Sequence, residues 1–499
     1  MMRRRDLWKV LAACPAGAMF LRATGRLEPT AVQTGDVAGG EATVWMRSAV
    51  PGRMSVKWRT AGAWREAPGP ALSAQTDFTG RVLLTGLPAG QRIFYEASVE
   101  GAHPLRGSFL TPPHGHADVR FLWSGDMVGQ GWGINPDIGG ITIFETMRKL
   151  EPHFFLHSGD TIYADVPVPP EVTLPDGRVW KNLVTAGKSK VAETLDEFRG
   201  AYRYNLLDEN VRRFSAQVAQ VWQWDDHEVM NNWSSSKDIR DDSRYREKDV
   251  QTLVKRARQA FLEYAPLSPA ARRIYRKISY GPLLDVFVLD MRSFRGPNTW
   301  NRQETASSET AYLGATQIEW LIRDLRTSKA LWKVMAADMP IGLPAPDGKD
   351  ALGRTRFDAS ANGDGPPLGR ELEIASLLSA MKQHNIRNTV WLTADVHYTA
   401  AHHYHPERAR FHDFLPFWEF VSGPLNAGTF GPTRLDDTFG PRALFQKAPP
   451  AGRSNLCPLE GMQFFGDVRI DGKRKTLEVT LRDMTGAALY SKTLIPEFG

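Results

Sequence analysis

Carboxylates and imidazoles follow four hydrophobic segments that have the composition of buried β-strands. The four motifs are FLWSGD, ending at Asp126; FFLHSGDTIYAD, with Asp160, Tyr163 and Asp165; VWQWDDHE, with Asp225, Asp226 and His227; and VWLTADVHY, with Asp395 and His397. In open α/β sheets, ligands bind outside the carboxyl ends of the strands. Carboxylates, phenolate and imidazole suit ions such as Fe, Mn, Zn or Ca. Two such ions close together can clamp a phosphoryl group during its displacement.

Each motif alone also has a simpler explanation. A Gly-Asp pair after a strand is commonly a turn, because Gly tolerates positive φ and Asp caps the next element. That explanation is weaker for the four motifs together, since no basic residue stands beside the carboxylates to neutralise them. Crowded carboxylates repel and raise one another's pKa values, and a bound cation relieves this repulsion. The set therefore predicts a metal centre.

These motifs resemble the PhoD-type alkaline phosphatase and phosphodiesterase family, which belongs to the wider calcineurin-like metallophosphoesterases. The resemblance rests on GDTIYAD, WDDHEVMNNW, LDMRSFR, ANGDGPPLGRE and TADVHY followed by WEFVSGP, and extends from about Val32 over nearly the whole chain. It implies hydrolysis of phosphate monoesters or diesters by a metal-activated oxygen nucleophile. The substrate would be a phosphorylated small molecule or lipid headgroup. The alternatives are a phospholipase D-like phosphodiesterase and a non-catalytic surface-binding protein with a relic phosphatase domain.

The same resemblance implies a set of metal ligands and one catalytic residue. The implied ligands are Asp126, Asp160, Tyr163, Asp226, Asp395 and His397. Asp160 would bridge two ions, because one carboxylate can screen two cations from each other. His227 would face the leaving group as general acid or transition-state stabiliser. Asp395 and His397 alternate by two, so both would point to one face if their strand continues.

The identity of the metals stays open because one expected ligand is missing. The family pattern has Ser-Cys-Gln after the first strand, and Ser124-Gly125-Asp126 stands in its place. A phenolate from Tyr163 would suit ferric iron, whose Lewis acidity can remove a proton from a group of pKa about 10. Without the thiolate, a site of oxygen and imidazole donors is expected. It would hold two or more ions, Fe(III) and/or Ca, Mn or Zn.

Several polar residues near the motifs have two interpretations each. Asn231 or Asn232 could complete the site through an amide oxygen, or could cap a helix. Arg292 and Arg295 could clamp a phosphate bidentately, or could form structural ion pairs. Asp165 could be a further ligand or a turn cap. A histidine-rich segment, His402, His403 and His405, is expected to be mostly solvated.

Three regions are expected along the 499 residues. Residues 1–27 resemble a twin-arginine leader, with Arg4-Arg5-Asp6-Leu7-Trp8-Lys9 before an apolar stretch; a disordered basic N-terminus is the alternative. Residues 28–113 alternate apolar and polar positions and resemble a fibronectin-III-like β-sandwich. Residues 114–499 would form the metallophosphoesterase catalytic domain. We therefore expect an exported monomer, periplasmic or extracellular, with no transmembrane segment in the mature chain.

The fold class expected for the catalytic domain is α/β, with a calcineurin-like core of two sheets between helices (α-β-β-α). Mostly apolar strands are predicted at 119–124, 154–158, 218–224, 284–289, 332–337 and 389–394. A capping box at Thr316-Gln317-Ile318-Glu319 predicts a helix to about Arg326. A second helix is predicted over Glu371–His384. The chain carries a net charge of +6, but no cluster of basic residues interleaves with aromatic ones, so an obligate nucleic-acid partner is not expected.

Three irregular stretches are predicted to be surface insertions. They span Val166–Lys190, Gly296–Ser308 and Gly342–Gly369, and are rich in Pro, Gly, Asp or Ser. Long loops of this kind are either functional or mobile. In the expected fold they would rim the strand ends, where a lid role is one possibility.

Overall fold

The computed structural model describes residues 29–498, so the predicted leader at 1–27 lies outside the described residues. The strands of the first part are β1 (Ala31–Ala38), β2 (Glu41–Arg47), β3 (Gly52–Arg59), β4 (Arg65–Leu72), β5 (Thr79–Leu84), β6 (Arg92–Val99), β7 (Leu105–Leu110), β8 (Val119–Ser124), β9 (Phe154–Ser158), β10 (Glu171–Thr173) and β11 (Val179–Lys181). The later strands are β12 (Ala219–Gln223), β13 (Arg276–Ser279), β14 (Leu284–Val288), β15 (Trp332–Ala336), β16 (Pro346–Lys349), β17 (Thr355–Phe357), β18 (Thr389–Thr393), β19 (Thr399–Tyr404), β20 (Phe417–Val421), β21 (Pro441–Lys447), β22 (Phe464–Ile470), β23 (Leu477–Asp483) and β24 (Ala488–Leu494).

Helices occupy the connections between these strands. The α-helices are α1 (Ile143–Arg148), α2 (Leu195–Asn205), α3 (Glu209–Gln217), α4 (Val250–Tyr264), α5 (Ala315–Thr327) and α6 (Glu371–Gln383). Short 3-10 helices span Ala74–Thr76, Pro136–Ile138, Ala186–Lys188, Pro406–Arg408 and Pro458–Glu460. None of the helices in residues 29–498 has both the length and the apolar character needed to span a bilayer.

Two large sheets share one hydrophobic core. The first has nine strands in the order β24-β23-β22-β8-β9-β12-β1-β2-β5, and the second has seven in the order β13-β14-β15-β18-β20-β19-β21. Their facing side chains form one continuous cluster, which includes Trp123 and Val221 from the first sheet and Val288 and Leu392 from the second. The central strands are apolar on both faces because each is covered on both sides.

Helices cover the outer face of each sheet. On the nine-stranded sheet, Phe144 of α1 and Phe214 of α3 pack against Phe155 of β9. On the seven-stranded sheet, Trp320 of α5 packs against Phe287 of β14. The chain is therefore a mixed α/β protein with the layer order helix, sheet, sheet, helix that the sequence predicts for the core.

The N-terminal strands divide between two sheets. Strand β1 pairs in parallel with β12, with Gly35 opposite Gln220, and β2 and β5 extend the nine-stranded sheet from there. Strands β4, β3, β6 and β7 form a separate four-stranded sheet. The region predicted at 28–113 is thus all-β, but part of it completes a sheet of the core. Its fibronectin-III-like character stays a prediction.

The predicted helix near Thr316 exists, but the predicted capping box is wrong. Helix α5 begins after Gly314, which has a φ of 80° and makes no side-chain cap. Glu373, at the start of α6, instead accepts hydrogen bonds from the backbone amides of Tyr312, Leu313 and Gly314. A carboxylate from a neighbouring helix therefore satisfies the amides that precede α5.

Candidate metal centre

The carboxyl ends of six parallel strands meet along one edge of the two sheets. Strands β8, β9 and β12 are parallel neighbours in the first sheet, and β14, β15 and β18 are parallel neighbours in the second. The polar residues that follow these strand ends are Asp126, Asp160, Asp225, Asp226, Asp290, Asp338 and Asp395. Because the two sheets face each other, most of these carboxylates converge between them.

The backbone at the candidate ligands is unusual. Asp126, Asp160, Asp395 and His397 have φ values of 64°, 50°, 60° and 61°. Asp and His adopt this left-handed region more readily than most residues, and such conformations cluster at functional sites. The predicted strand does not continue through Asp395 and His397, because β18 ends at Thr393 and a turn follows. That turn sends the two side chains to different parts of the centre.

Two glycines allow the strand ends to approach each other. A Cβ at Gly423, in the WEFVSGP motif, would collide with the Oδ2 atom of Asp126. Gly159, which has a φ of 91°, would place its Cβ only 2.5 Å from the Cβ of Asp225. Both positions therefore need glycine for the carboxylates to come together.

Three overlapping groups of side chains could each hold an ion, because their ligand atoms lie within 4.8 Å of one another. The groups are Asp126, Asp160 and His397; Asp160, Asp226 and His227; and Asp225, Asp226 and Asp395. Asp160 and Asp226 each belong to two groups. The geometry thus allows Asp160 to bridge two ions, although that role stays a prediction.

The donor set fits metal ions. Both carboxylate oxygens of Asp126, Oδ2 of Asp225 and Oδ1 of Asp226 are buried without a hydrogen-bond partner among residues 29–498. Burial and then the negative charge of Asp395 raise the pKa of Asp126 well above its usual range. Burial and then the charge of Asp226 do the same to the pKa of Asp160. A bound cation would compensate this concentrated negative charge.

Tyr163 lies inside this cluster. Its hydroxyl is 2.8 Å from Nε2 of His397, and that nitrogen is 3.6 Å from Oδ1 of Asp126. Burial, followed by the charges of Asp160 and Asp126, raises the pKa of Tyr163 well above its usual range. The phenol would therefore lose its proton only next to a strongly Lewis-acidic cation.

Asp165 orients the imidazole of His227. Its Oδ1 is 2.6 Å from Nδ1 of His227, and its Oδ2 accepts a hydrogen bond from the Asn231 amide. Burial works to raise the pKa of Asp165, but the charge and hydrogen bond of His227 hold it below its usual value. Asp165 thus fixes the ring beside Tyr163, with 4.2 Å between the ring centroids.

Glu228 connects the loop that carries Asp160 to the loop that carries Asp225 and Asp226. Its carboxylate accepts hydrogen bonds from the backbone amides of Asp160, Thr161 and Asp225. Burial raises the pKa of Glu228 to about 8. No role for this residue followed from the sequence, although it stands in the WDDHE motif. A residue that binds backbone amides 67 and 68 positions away leaves no local pattern in the sequence.

Arg292 and Arg295 occupy buried ion pairs. The Arg292 guanidinium, which is 0% exposed, contacts Asp225 at 2.6 Å and Asp358 at 2.8 Å. Arg295 contacts the other oxygen of Asp358 at 2.6 Å. Of the two roles left open by the sequence, this geometry corresponds to structural ion pairs and not to a phosphate clamp. Asp338 lies 3.6 Å from Arg292 and was missed, although it too follows the end of a predicted strand.

The remaining residues singled out in the sequence are either buried or partly exposed. Asn232 is buried, and its backbone amide donates to the Asp226 carboxylate. His402, predicted to be mostly solvated, is instead buried with Nδ1 3.0 Å from Glu419. It lies on β19, where the alternation of the strand turns it inward. His403 and His405 are partly exposed.

The fold is a mixed α/β fold in which buried carboxylates and imidazoles gather at the strand ends. The family model for PhoD-like phosphatase matches residues 121–481, and the model for the N-terminal domain of PhoD-like phosphatase matches residues 23–113. The first match alone covers well over half of the chain. The chain therefore belongs to the PhoD-like phosphatase family, as the sequence motifs predict.

Similar proteins agree with this assignment. Alkaline phosphatase D of Bacillus subtilis (strain 168) is 27% identical over 322 residues, which is 60% of this chain and 50% of that relative. The match thus spans about half the length of the curated relative. A solved structure of PhoD has a TM-score of 0.68 at 20% identity, covering 93% of this chain and 89% of that one. A purple acid phosphatase, PPD1 from yellow lupin (Lupinus luteus) seeds, has a TM-score of 0.55 at 12% identity, covering 94% and 74%. At these identities the structures show the shared fold.

Proposed function

We propose that this protein hydrolyses phosphate esters with the help of two or more metal ions. The observation that carries the proposal is the set of three overlapping carboxylate and imidazole groups at the strand ends. Membership of the PhoD-like phosphatase family supports it. The ions would be held by Asp126, Asp160, Tyr163 and His397 on one side, and by Asp160, Asp226 and Asp395 on the other.

The metal ions would supply activation of a water molecule and stabilisation of negative charge on the phosphoryl group. The side chains supply orientation and a proton. Asp165 holds Nδ1 of His227, so Nε2 is the nitrogen assigned to proton transfer to the leaving oxygen. Glu228 fixes the loops of Asp160 and Asp225, which keeps the ligands in place. General acid catalysis of this kind contributes roughly 10²–10⁴-fold.

The test is hydrolysis by the purified chain on a panel of aryl phosphate monoesters, diesters and a phospholipid. We expect activity that is lost with a chelator and restored by metal. The comparison of monoester, diester and phospholipid rates decides between phosphatase, phosphodiesterase and phospholipase D-like activity. Absence of hydrolysis across the panel, with ions bound, would favour the relic-domain alternative.

A second measurement addresses which metals bind. With Asp126 in place of a thiolate, oxygen and imidazole donors should accept Mn, Ca or Zn after chelation. If Tyr163 binds ferric iron, the purified protein should be purple or brown, and Tyr163→Phe should bleach it. An active, colourless protein without iron would eliminate the ferric model and leave a divalent pair.

We also propose that the chain is exported through the twin-arginine machinery to the periplasm or the exterior. The support is the sequence Arg4-Arg5-Asp6-Leu7-Trp8-Lys9, which lies outside the described residues. Replacing both arginines with lysine should keep the protein in the cytoplasm of a twin-arginine-competent host. Export that is indifferent to this change would contradict the proposal.

A further inference from the structure

Asn298 joins two parts of the molecule that the sequence places far apart. Its Oδ1 accepts a hydrogen bond of 2.8 Å from Arg370, a residue of the ANGDGPPLGRE motif. Its Nδ2 lies 2.9 Å from Oδ2 of Asp347 and 3.0 Å from Oδ1 of Asp358. Arginine can only donate and a carboxylate can only accept. The orientation of this amide is therefore fixed by its partners.

Asp347 connects Asn298 to Asn232, which lies beside the candidate metal centre. It lies on β16 of the hairpin β16–β17, within the insertion predicted at 342–369. While Oδ2 is held by Asn298, its Oδ1 accepts a 3.3 Å hydrogen bond from Nδ2 of Asn232. Because Asp347 can only accept here, the NH₂ group of Asn232 must face it. The amide oxygen of Asn232 therefore points away from Asp347.

Asn232 stands directly beside a predicted metal ligand. Its backbone amide donates to Oδ2 of Asp226, and its carbonyl accepts a 3.0 Å hydrogen bond from Asn298. The residue is 5% exposed and has a φ of 52°, which few residues other than Asn adopt readily. The backbone amide, the backbone carbonyl and Nδ2 of Asn232 all form hydrogen bonds. Its Oδ1 accepts none from residues 29–498.

We propose that Asp347 is a positioning residue that turns the amide oxygen of Asn232 toward the metal ions held by Asp226. This inference rests on the proposed metal centre and adds one oxygen donor to it. Amide oxygens are suitable ligands for hard cations such as Ca²⁺. It concerns Asn232 and not its neighbour Asn231, whose hydrogen bonds run through its backbone groups to Asp165 and Lys237.

The same contacts give the β16–β17 hairpin a function. Through Asp347 it reaches Asn232 and then Asp226, and through Asn298 it reaches Asp358 and then Arg292 and Asp225. Both members of the Asp225-Asp226 pair are therefore connected to this insertion. The hairpin acts as a support for the metal centre.

The experiment measures metal affinity directly, by calorimetric titration of Mn²⁺ or Ca²⁺ into the chelated full-length protein. Loss of a partner that orients a ligand typically costs about 10–100-fold in metal affinity. We expect Asp347→Ala and Asn232→Ala each to weaken binding by about this factor. The double variant should be no weaker than the weaker single variant. Asp350→Ala is the matched control, since Asp350 caps the tip of the same hairpin through Arg354.

Asp347→Asn keeps the shape of the side chain but can also donate, so it should lose affinity by a smaller factor. It serves as the second variant if Asp347→Ala does not fold. Metal binding by Asp347→Ala and Asp347→Asn that equals wild type and Asp350→Ala would overturn the inference, as would additive losses in the double variant. Failure of the proposed function is separate, because wild type would then bind metal without hydrolysing any phosphate ester.

Discussion

Two buried acidic clusters lie side by side in this molecule and have opposite electrostatic surroundings. Asp126 and Asp160 are surrounded by other carboxylates, and burial with these charges raises their pKa values well above the usual range. Asp358 is equally buried, yet the charges of Arg292 and Arg295 outweigh its burial and hold its pKa below the usual value. Both clusters consist of buried aspartates. They differ because arginine side chains of the same chain pair with Asp358.

The difference distinguishes a cluster that pairs with its own arginines from one that does not. A buried charge must be paired, because the cost of desolvation is large. At Asp358 the chain supplies its own guanidinium groups, so the cluster is complete without any ligand. At Asp126 no guanidinium group among residues 29–498 pairs with the carboxylate, and the proposed metal ions would compensate its charge. Asp225 stands at the boundary, with Oδ1 bound to Arg292 and Oδ2 unpartnered within residues 29–498.

The largest effect is expected from Asp160→Asn, which alters the carboxylate cluster proposed to bind metal ions. A neutral amide cannot balance two cations, so the variant should lose its metal ions and nearly all activity while remaining folded. The loss should exceed the roughly 10–100-fold typical of residues that only support a ligand. The measurement is elemental analysis together with hydrolysis of an aryl phosphate. Survival of both within a few-fold would show that Asp160 is not a shared ligand.

His227→Ala should lower kcat by roughly 10²–10⁴-fold while the metal ions are retained. The loss should shrink for leaving groups that need little protonation, since His227 would donate a proton to the leaving oxygen. Asp165→Asn should show the same dependence on the leaving group more weakly, because Asp165 only orients the ring. An equal loss on every substrate would indicate a role in binding instead.

Local patterns were sufficient to predict the central strands and most of the carboxylates that converge at their ends. A run of apolar residues followed by an acid marks a strand end, and this pattern locates Asp126, Asp160, Asp226 and Asp395 without any tertiary information. Applied once more it would also have located Asp338, after β15. The order of the strands then brings these residues together.

Contacts between distant segments could not be read from the sequence. Glu373 caps amides that lie 59 to 61 positions earlier, which is why the local capping box was the wrong prediction for α5. His402 looked solvated because its partner, Glu419, lies on the neighbouring strand of the sheet. Arg292 and Arg295 had two possible roles until the position of Asp358 was known. In each case the partner, and not the residue itself, decides the role.

Asp358→Ala tests the cluster in which Asp358 pairs with Arg292 and Arg295. Removing this carboxylate leaves Arg292 and Arg295 buried with fewer partners, and breaking a buried pair typically costs about 3–5 kcal/mol of stability. We expect a free energy of unfolding reduced by that amount, measured by urea denaturation. Asp364→Ala is the control, because its pair with Arg434 is largely exposed and should contribute about 0–1 kcal/mol. A drop no larger than the control would show that the arginines find other partners.

A third way to compensate a buried carboxylate is to keep its proton, and Glu371 provides the smallest predicted effect. Burial, and then the charge of Asp436, raises the pKa of Glu371 from 4.5 to about 9. Because the folded pKa is the higher one, this group favours the folded state fully below about pH 4.5. That contribution is lost as the pH rises through about 9.

Glu371→Gln should remove this pH dependence, since glutamine stays neutral and can still accept the hydrogen bond from Asn362. Relative to wild type, we expect the variant to gain stability at pH 9 and to gain less at pH 6. Melting curves recorded with excess chelator measure this without a contribution from metal binding. Glu407→Gln, whose side chain is 87% exposed, is the control and should follow wild type. A Glu371→Gln curve parallel to wild type between pH 6 and 9 would mean that Glu371 is already ionised in the folded protein. Its charge would then need a cation, as at Asp126 or Asp358.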